Sequence, residues 1–151
     1  MVIEAKQTVW DFQWQMIKAL GIDLGDARVG VAVSDDLGML AHPLETISVK
    51  STPVLKRVLA LAAERSATTI VVGMPRNMNG TLGPASEMAK AFIEELRRET
   101  SLPVVPWDER LSTVSAQRAL QEAGRNTRNQ RAVIDQVAAQ IILQSWLDSQ
   151  G

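Results

Sequence analysis

The sequence predicts an α/β domain: a mixed five-stranded sheet, three antiparallel strands followed by parallel ones, flanked by helices. Two observations carry this expectation. Three short apolar segments, beginning at Ile17, are separated only by turn-forming residues. Beyond them, β-branched runs alternate with segments whose apolar residues recur at helical spacing. Strands joined by a hairpin run antiparallel, whereas a strand-helix-strand crossover makes its strands parallel.

Taken in order, residues 17–24 read as a mostly apolar strand ending in Asp23-Leu24-Gly25-Asp26. Val29, Val31 and Val33 alternate through a second strand, with a tight hairpin at Gly25–Arg28 between the two. A third strand at Leu44–Ile47 follows the Gly38 turn and Pro43, with His42 read as a turn residue. Val54, Leu55, Val58, Leu59 and Leu61 then fall at helical spacing, with Ser51 or Thr52 as cap and Pro53 at the first helical position. Thr69–Val72, stopped by Gly73, is a buried strand, and Pro84 opens a second helix with a stripe at Met88, Ala91, Phe92 and Leu96. Pro103–Trp107 is the fifth strand. A third helix is expected from Ser112 or Thr113 to near Gly124, and a fourth from about Gln130 to Leu147.

The 151 residues, 46% of them hydrophobic, suffice for one domain with its own core. Sixteen basic residues stand against 17 acidic ones, so any nucleic-acid surface must come from clustering rather than from excess charge. The absence of cysteine removes disulfides, zinc ribbons and thiol nucleophiles, and fits a reducing, cytoplasmic setting. No apolar run approaches the ~20 residues that span a bilayer, so no membrane association is expected. Residues 1–15 carry Glu4, Lys6 and Asp11 among apolar residues, unlike a signal peptide. Trp10, Phe12 and Trp14 alternate there, so the segment is either an added arm or a misassigned start ahead of Met16.

Three carboxylates stand out by position. Asp23 ends an otherwise apolar strand, where a buried carboxylate is costly unless it is paired or coordinated. The alternative is a turn acid satisfied by the hairpin backbone. Glu109 lies just past Val104, Val105 and Trp107, at the carboxyl end of a strand, where open parallel sheets place their ligand sites. There the alternative is a pair between Asp108 or Glu109 and Arg110 that closes the loop. Asp135 shares a helix face with Ala138, Ala139, Ile142 and Trp146, which turns it toward the sheet, although a first-turn role at the helix amino end competes. Such a carboxylate is expected to be poorly solvated and repelled by the other two acids. Three acids so placed suit hard divalent cations. Two ions about 4 Å apart can activate a water and neutralise the attacking and leaving oxygens of phosphoryl transfer.

Gly21-Ile22-Asp23-Leu24-Gly25 followed by Arg28-Val29-Gly30-Val31-Ala32-Val33-Ser34-Asp35 resembles the opening of the YqgF (RuvX) family of bacterial RNase H-like nucleases. Val72-Gly73-Met74-Pro75 with Asn77-Met78-Asn79-Gly80-Thr81 is similar to that family's central loop. Asp108-Glu109-Arg110-Leu111-Ser112-Thr113 resembles its third block, and Ile134-Asp135-Gln136-Val137-Ala138-Ala139 with Ile142-Leu143-Gln144 its fourth. The resemblance implies an RNase H-like nuclease domain over residues 16–151, with Asp23, Glu109 and Asp135 as catalytic, metal-binding acids and magnesium or manganese as cofactor. It implies processing of the 5′ end of the 16S rRNA precursor, while kinship with the resolvase RuvC points to branched DNA. RuvC-type enzymes place an acid at the end of the fourth strand, where this chain has Gly73-Met74-Pro75. Glu109 on the fifth strand would have to fill that role.

Arg125, Arg128 and Arg131, in the polar connection before the Asp135 helix, and Arg118 upstream could grip phosphates beside the scissile bond. Arg76, Asn77 and Thr81, in the Gly/Pro/Asn-containing segment 74–84, and Arg110 complete the candidate nucleic-acid-binding set. Two rival readings share parts of this pattern. An actin-like ATPase also opens with a strand-Asp hairpin but needs a second lobe, for which 151 residues leave no room. A non-catalytic nucleic-acid-binding module would keep the arginines without needing Asp135 on an apolar face. A homodimer is compatible with either substrate, and symmetric resolution of a four-way junction would need a two-fold one.

Overall fold

The structure, a computed structural model, describes residues 17–76, 79–112 and 128–150, with side chains in the last stretch from Val133 onward. Five strands form one sheet in the order β3-β2-β1-β4-β5. They are β1 (Ala19–Leu24), β2 (Arg28–Ser34), β3 (Ala41–Ser48), β4 (Thr69–Met74) and β5 (Val104–Asp108). The β1-β2-β3 meander is antiparallel, and β4 and β5 run parallel to β1. The helices are α1 (Val54–Glu64), α2 (Pro84–Glu99) and α3 (Arg128–Gln150), with a short 3₁₀ turn at Glu109–Leu111. This is the mixed sheet expected from the hairpin-linked beginning and the later crossovers. The expected helix after Ser112 falls mainly on residues 113–127, outside the described residues, as do residues 1–15.

Side-chain alternation sorts the strands onto two apolar faces. Leu20, Ile22, Val29, Val31, Ile70 and Val72 pack with Val58, Leu61, Ala89, Ile93 and Leu96 of α1 and α2. On the opposite face Ala19, Ala32 and Val71 pack with Ala138, Ala139, Ile142, Leu143 and Trp146 of α3. The face of α3 read from the sequence is therefore the buried one. Three glutamines at four-residue spacing fasten α3 to the sheet. Gln136 donates to Thr46 Oγ1, Gln140 to the Ala41 carbonyl and Gln144 to the Met39 carbonyl, while Gln144 accepts from the Ala41 amide.

Three local expectations change. The third strand is longer than read, so His42 and Pro43 lie in β3 rather than in a turn. Pro43 is tolerated because β3 is an edge strand and its register with β2 shifts between Val31 and Ala32, passing over Leu44. α1 starts at Val54 with Pro53 in the cap position and no side-chain cap, so neither Ser51 nor Thr52 serves. α3 begins at Arg128, which puts Arg128 and Arg131 in its first turns rather than in the connection before it.

Candidate active site

The carboxyl end of β1 is crossed by a row of four residues on the α3 face. Asp23 pairs in register with Gly30 of β2. On its other side, the Ile22–Val72 pairing brings Gly73 of β4 to the next step, and Gly73 pairs with Trp107 of β5. Asp23 is thus flanked on both sides by glycine, and the missing side chains let α3 approach the sheet closely there. A Cβ at Gly30 would overlap the backbone carbonyl of Asp135. A Cβ at Gly73 would lie 2.6 Å from Ile142 Cδ1 and 3.5 Å from Glu109 Cγ. Ile142 of α3 therefore fills the position where a β4 side chain would stand, and Glu109, carried by the 3₁₀ turn after β5, packs beside it. All three acids lie on one face of the sheet, two of them nearly enclosed: Asp23 is 5% and Glu109 7% exposed.

The loop-closing pair considered for the third block exists, but it belongs to Asp108. Its carboxylate caps the 3₁₀ turn by accepting from the Arg110 amide and receives the Arg110 guanidinium, with Nη2 to Oδ2 at 2.7 Å. Arg76 Nε stands 3.6 Å from the same oxygen. The Arg110 side chain, more than Arg76, holds the Asp108 carboxyl below the usual range, and Arg110 is raised in turn. Two guanidiniums thus share one carboxylate immediately before Glu109. Thr81 is exposed, and its amide and hydroxyl both donate to Asn79 Oδ1. Asn77, Arg118 and Arg125 lie outside the described residues, as do the side chains of Arg128 and Arg131.

Asp135 differs from the expectation of an uncompensated carboxylate. Its Oδ2 accepts from Arg28 Nε at 2.7 Å, joining α3 to the first residue of β2. Among the described residues, no three acidic or imidazole side chains stand close enough together to enclose a cation. The donor set nevertheless fits a hard divalent ion, because Asp23, Glu109 and Asp135 offer only carboxylate oxygens from one face. Arg28 escaped the sequence reading, although its position, directly after the Asp23 hairpin, placed a fixed positive charge beside the acids.

The family model described as RuvX, Holliday junction resolvase, matches residues 17–149. The chain belongs to the RuvX family. A relative from Geobacillus kaustophilus (strain HTA426), named "Putative pre-16S rRNA nuclease", is 52% identical over 136 residues, covering 88% of this chain and 99% of the relative. One of the same name from Ruegeria sp. (strain TM1040) is 48% identical over 135 residues, covering 89% of this chain and 86% of the relative. Among solved structures, RuvC of T. thermophilus in complex with a Holliday junction substrate superposes with a TM-score of 0.52 at 19% identity, over 89% of this chain and 95% of that one. That likeness speaks for the fold, RNase H-like as the resemblance implied.

Proposed function

We propose that this chain is a divalent-metal-dependent nuclease that hydrolyses phosphodiester bonds, with structured RNA at the 5′ end of pre-16S rRNA as its substrate. The observation that carries the reading is the row Gly30-Asp23-Gly73: the Asp135 backbone closes over Gly30 and Glu109 packs beside Gly73, which puts all three acids on one face. Asp23, Glu109 and Asp135 would hold magnesium or manganese, two ions in the full site. Such ions supply Lewis acidity toward the scissile phosphate and a means of generating the nucleophile at neutral pH. The chain's own residues do the rest. Three carboxylates on a rigid sheet and helix fix where the phosphate must sit. Arg76 and Arg110, gathered by Asp108, can take the flanking phosphates. Arg118, Arg125, Arg128 and Arg131, with Asn77 and Thr81, are assigned as further nucleic-acid contacts on the sequence pattern alone. The substrate follows from the names of relatives about half identical over nearly their whole length.

The second reading, cleavage of a four-way DNA junction, is favoured by the description of the family model. Against it stands the Gly73-Met74-Pro75 segment at the end of β4, where RuvC-type enzymes carry an acid. No helix among the described residues is long and apolar enough to cross a membrane, and the reading as a nuclease of an rRNA precursor supports a cytoplasmic location. Side-by-side cleavage of a pre-16S 5′ leader, a four-way junction and single strands, each in chelator and in magnesium, tests the proposal. Metal-dependent cutting of the leader is the expected result. Cutting of the junction alone would select the second reading, and no cutting of any substrate would remove both.

A further inference from the structure

We propose that Arg28 is a latch on Asp135: it holds the carboxylate in the metal-free protein and competes with the divalent cation for it. The inference rests on the reading of Asp135 as a metal ligand and goes beyond it by assigning a role to a residue outside the acid set. Arg28 Nε and Asp135 Oδ2 are 2.7 Å apart, with the side chains 32% and 16% exposed. Their elements are also joined by packing, since Ala32 meets the apolar face of α3 and the Asp135 carbonyl lies directly over Gly30, two residues from Arg28. That packing fixes the Asp135 backbone, so its carboxylate exchanges partners by side-chain rotation alone. A guanidinium stays charged at every working pH. Arg28 therefore neutralises Asp135 whenever no cation is bound, and it explains how three acids share one face without metal. A divalent cation carries twice the charge and displaces the arginine. Until displaced, Arg28 occupies a ligand oxygen and repels the incoming ion, so it weakens metal affinity while stabilising the empty protein.

The test is titration of the full chain with manganese(II) alone, without nucleic acid, read by the paramagnetic signal of free ion and by calorimetry. Arg28→Gln is expected to bind manganese roughly two- to fivefold more tightly than the unaltered chain, the scale set by removing one partly exposed ion pair. Its thermal midpoint in chelator should fall. The gain should vanish in the Asp135→Asn background, where there is no carboxylate to release. Arg28→Lys, which keeps the charge but loses the planar fork, should fall between, and it decides the matter if Arg28→Gln does not fold in chelator. If Asp135→Asn weakens manganese binding while the Arg28 variants bind no more tightly than the unaltered chain, the latch is overturned and the acid site stands. If Asp135→Asn binds manganese as the unaltered chain does, Asp135 is not a ligand, and the latch falls together with that reading.

Discussion

Replacing Gly30 by alanine drives a methyl group into the Asp135 backbone, and the consequences follow from what stands there. The added Cβ would overlap the Asp135 carbonyl oxygen and lie 2.5 Å from its carbon and 3.2 Å from its Cβ. Backbone cannot rotate away as a side chain can, so α3 and β2 must separate by about 1 Å to restore van der Waals distances. Overpacking of this kind costs about 1–3 kcal/mol, equivalent to roughly 3–10 °C in the thermal midpoint of a domain of this size. The same shift carries Asp135 away from Asp23, and about 1 Å of misplacement can lower a rate ~10²-fold. Gly73→Ala is the control. Its Cβ would meet Ile142 Cδ1, the far end of a flexible side chain, at 2.6 Å, so it should lose less than half as much stability. Melting curves in chelator, with magnesium-dependent cleavage rates alongside, measure both effects. A Gly30→Ala protein that melts within a degree of the unaltered chain, or no earlier than Gly73→Ala, would refute the packing on which the site is built.

Asp135→Asn should lower the chelator midpoint by the equivalent of about 1 kcal/mol, because it breaks the pair with Arg28. That reverses the sequence expectation of a destabilising buried charge, and an unchanged or higher midpoint would count against the pair. Neutralising Arg125, Arg128 and Arg131 together should weaken binding to every nucleic acid and flatten the salt slope by about 0.7–0.9 per lost phosphate contact, as read from affinity against salt concentration. An unchanged slope would make the cluster a solvated segment. Acid sensitivity should come in part from Glu45, whose carboxyl is held below its usual range chiefly by the hydrogen bond from Arg57. A lowered folded value means the stabilisation is present above the unfolded pKa of about 4.3 and lost as pH falls through the folded value. Glu45→Gln should therefore flatten the loss of stability below about pH 5, and an unaltered acid limb would show that the pair contributes nothing.

The strands and helices were legible because each carries its period. Alternating Val29, Val31 and Val33 wrote β2, and Ala138, Ala139, Ile142 and Trp146 wrote the buried face of α3. Asp23 and Glu109 were legible as acids at the ends of apolar runs, where burial is costly without a partner. Pairings between distant segments were not. Nothing local in the sequence says that Arg28 meets Asp135, 107 residues away. Nor does it say that Gly30 and Gly73 are the empty places beside Asp23, since a strand glycine also marks bulges and kinks. His42 and Pro43 were misplaced because proline argues against a central strand, and only the sheet order reveals that β3 is an edge.

The three-acid metal site is tested most directly by the magnesium-dependent rate at which purified protein cuts a pre-16S 5′ leader, compared among the unaltered chain, Asp23→Asn, Glu109→Gln and Asp135→Asn. Chelator should abolish cutting and magnesium or manganese restore it in the unaltered chain, as hard oxygen ligands require. Each substitution should lower the rate by about two orders of magnitude or more, as expected when a metal ligand is lost, while RNA binding persists. Undiminished cutting in excess chelator would contradict the proposed metal site, and a Glu109→Gln protein that cuts at the unaltered rate would remove Glu109 from the proposed ligand set.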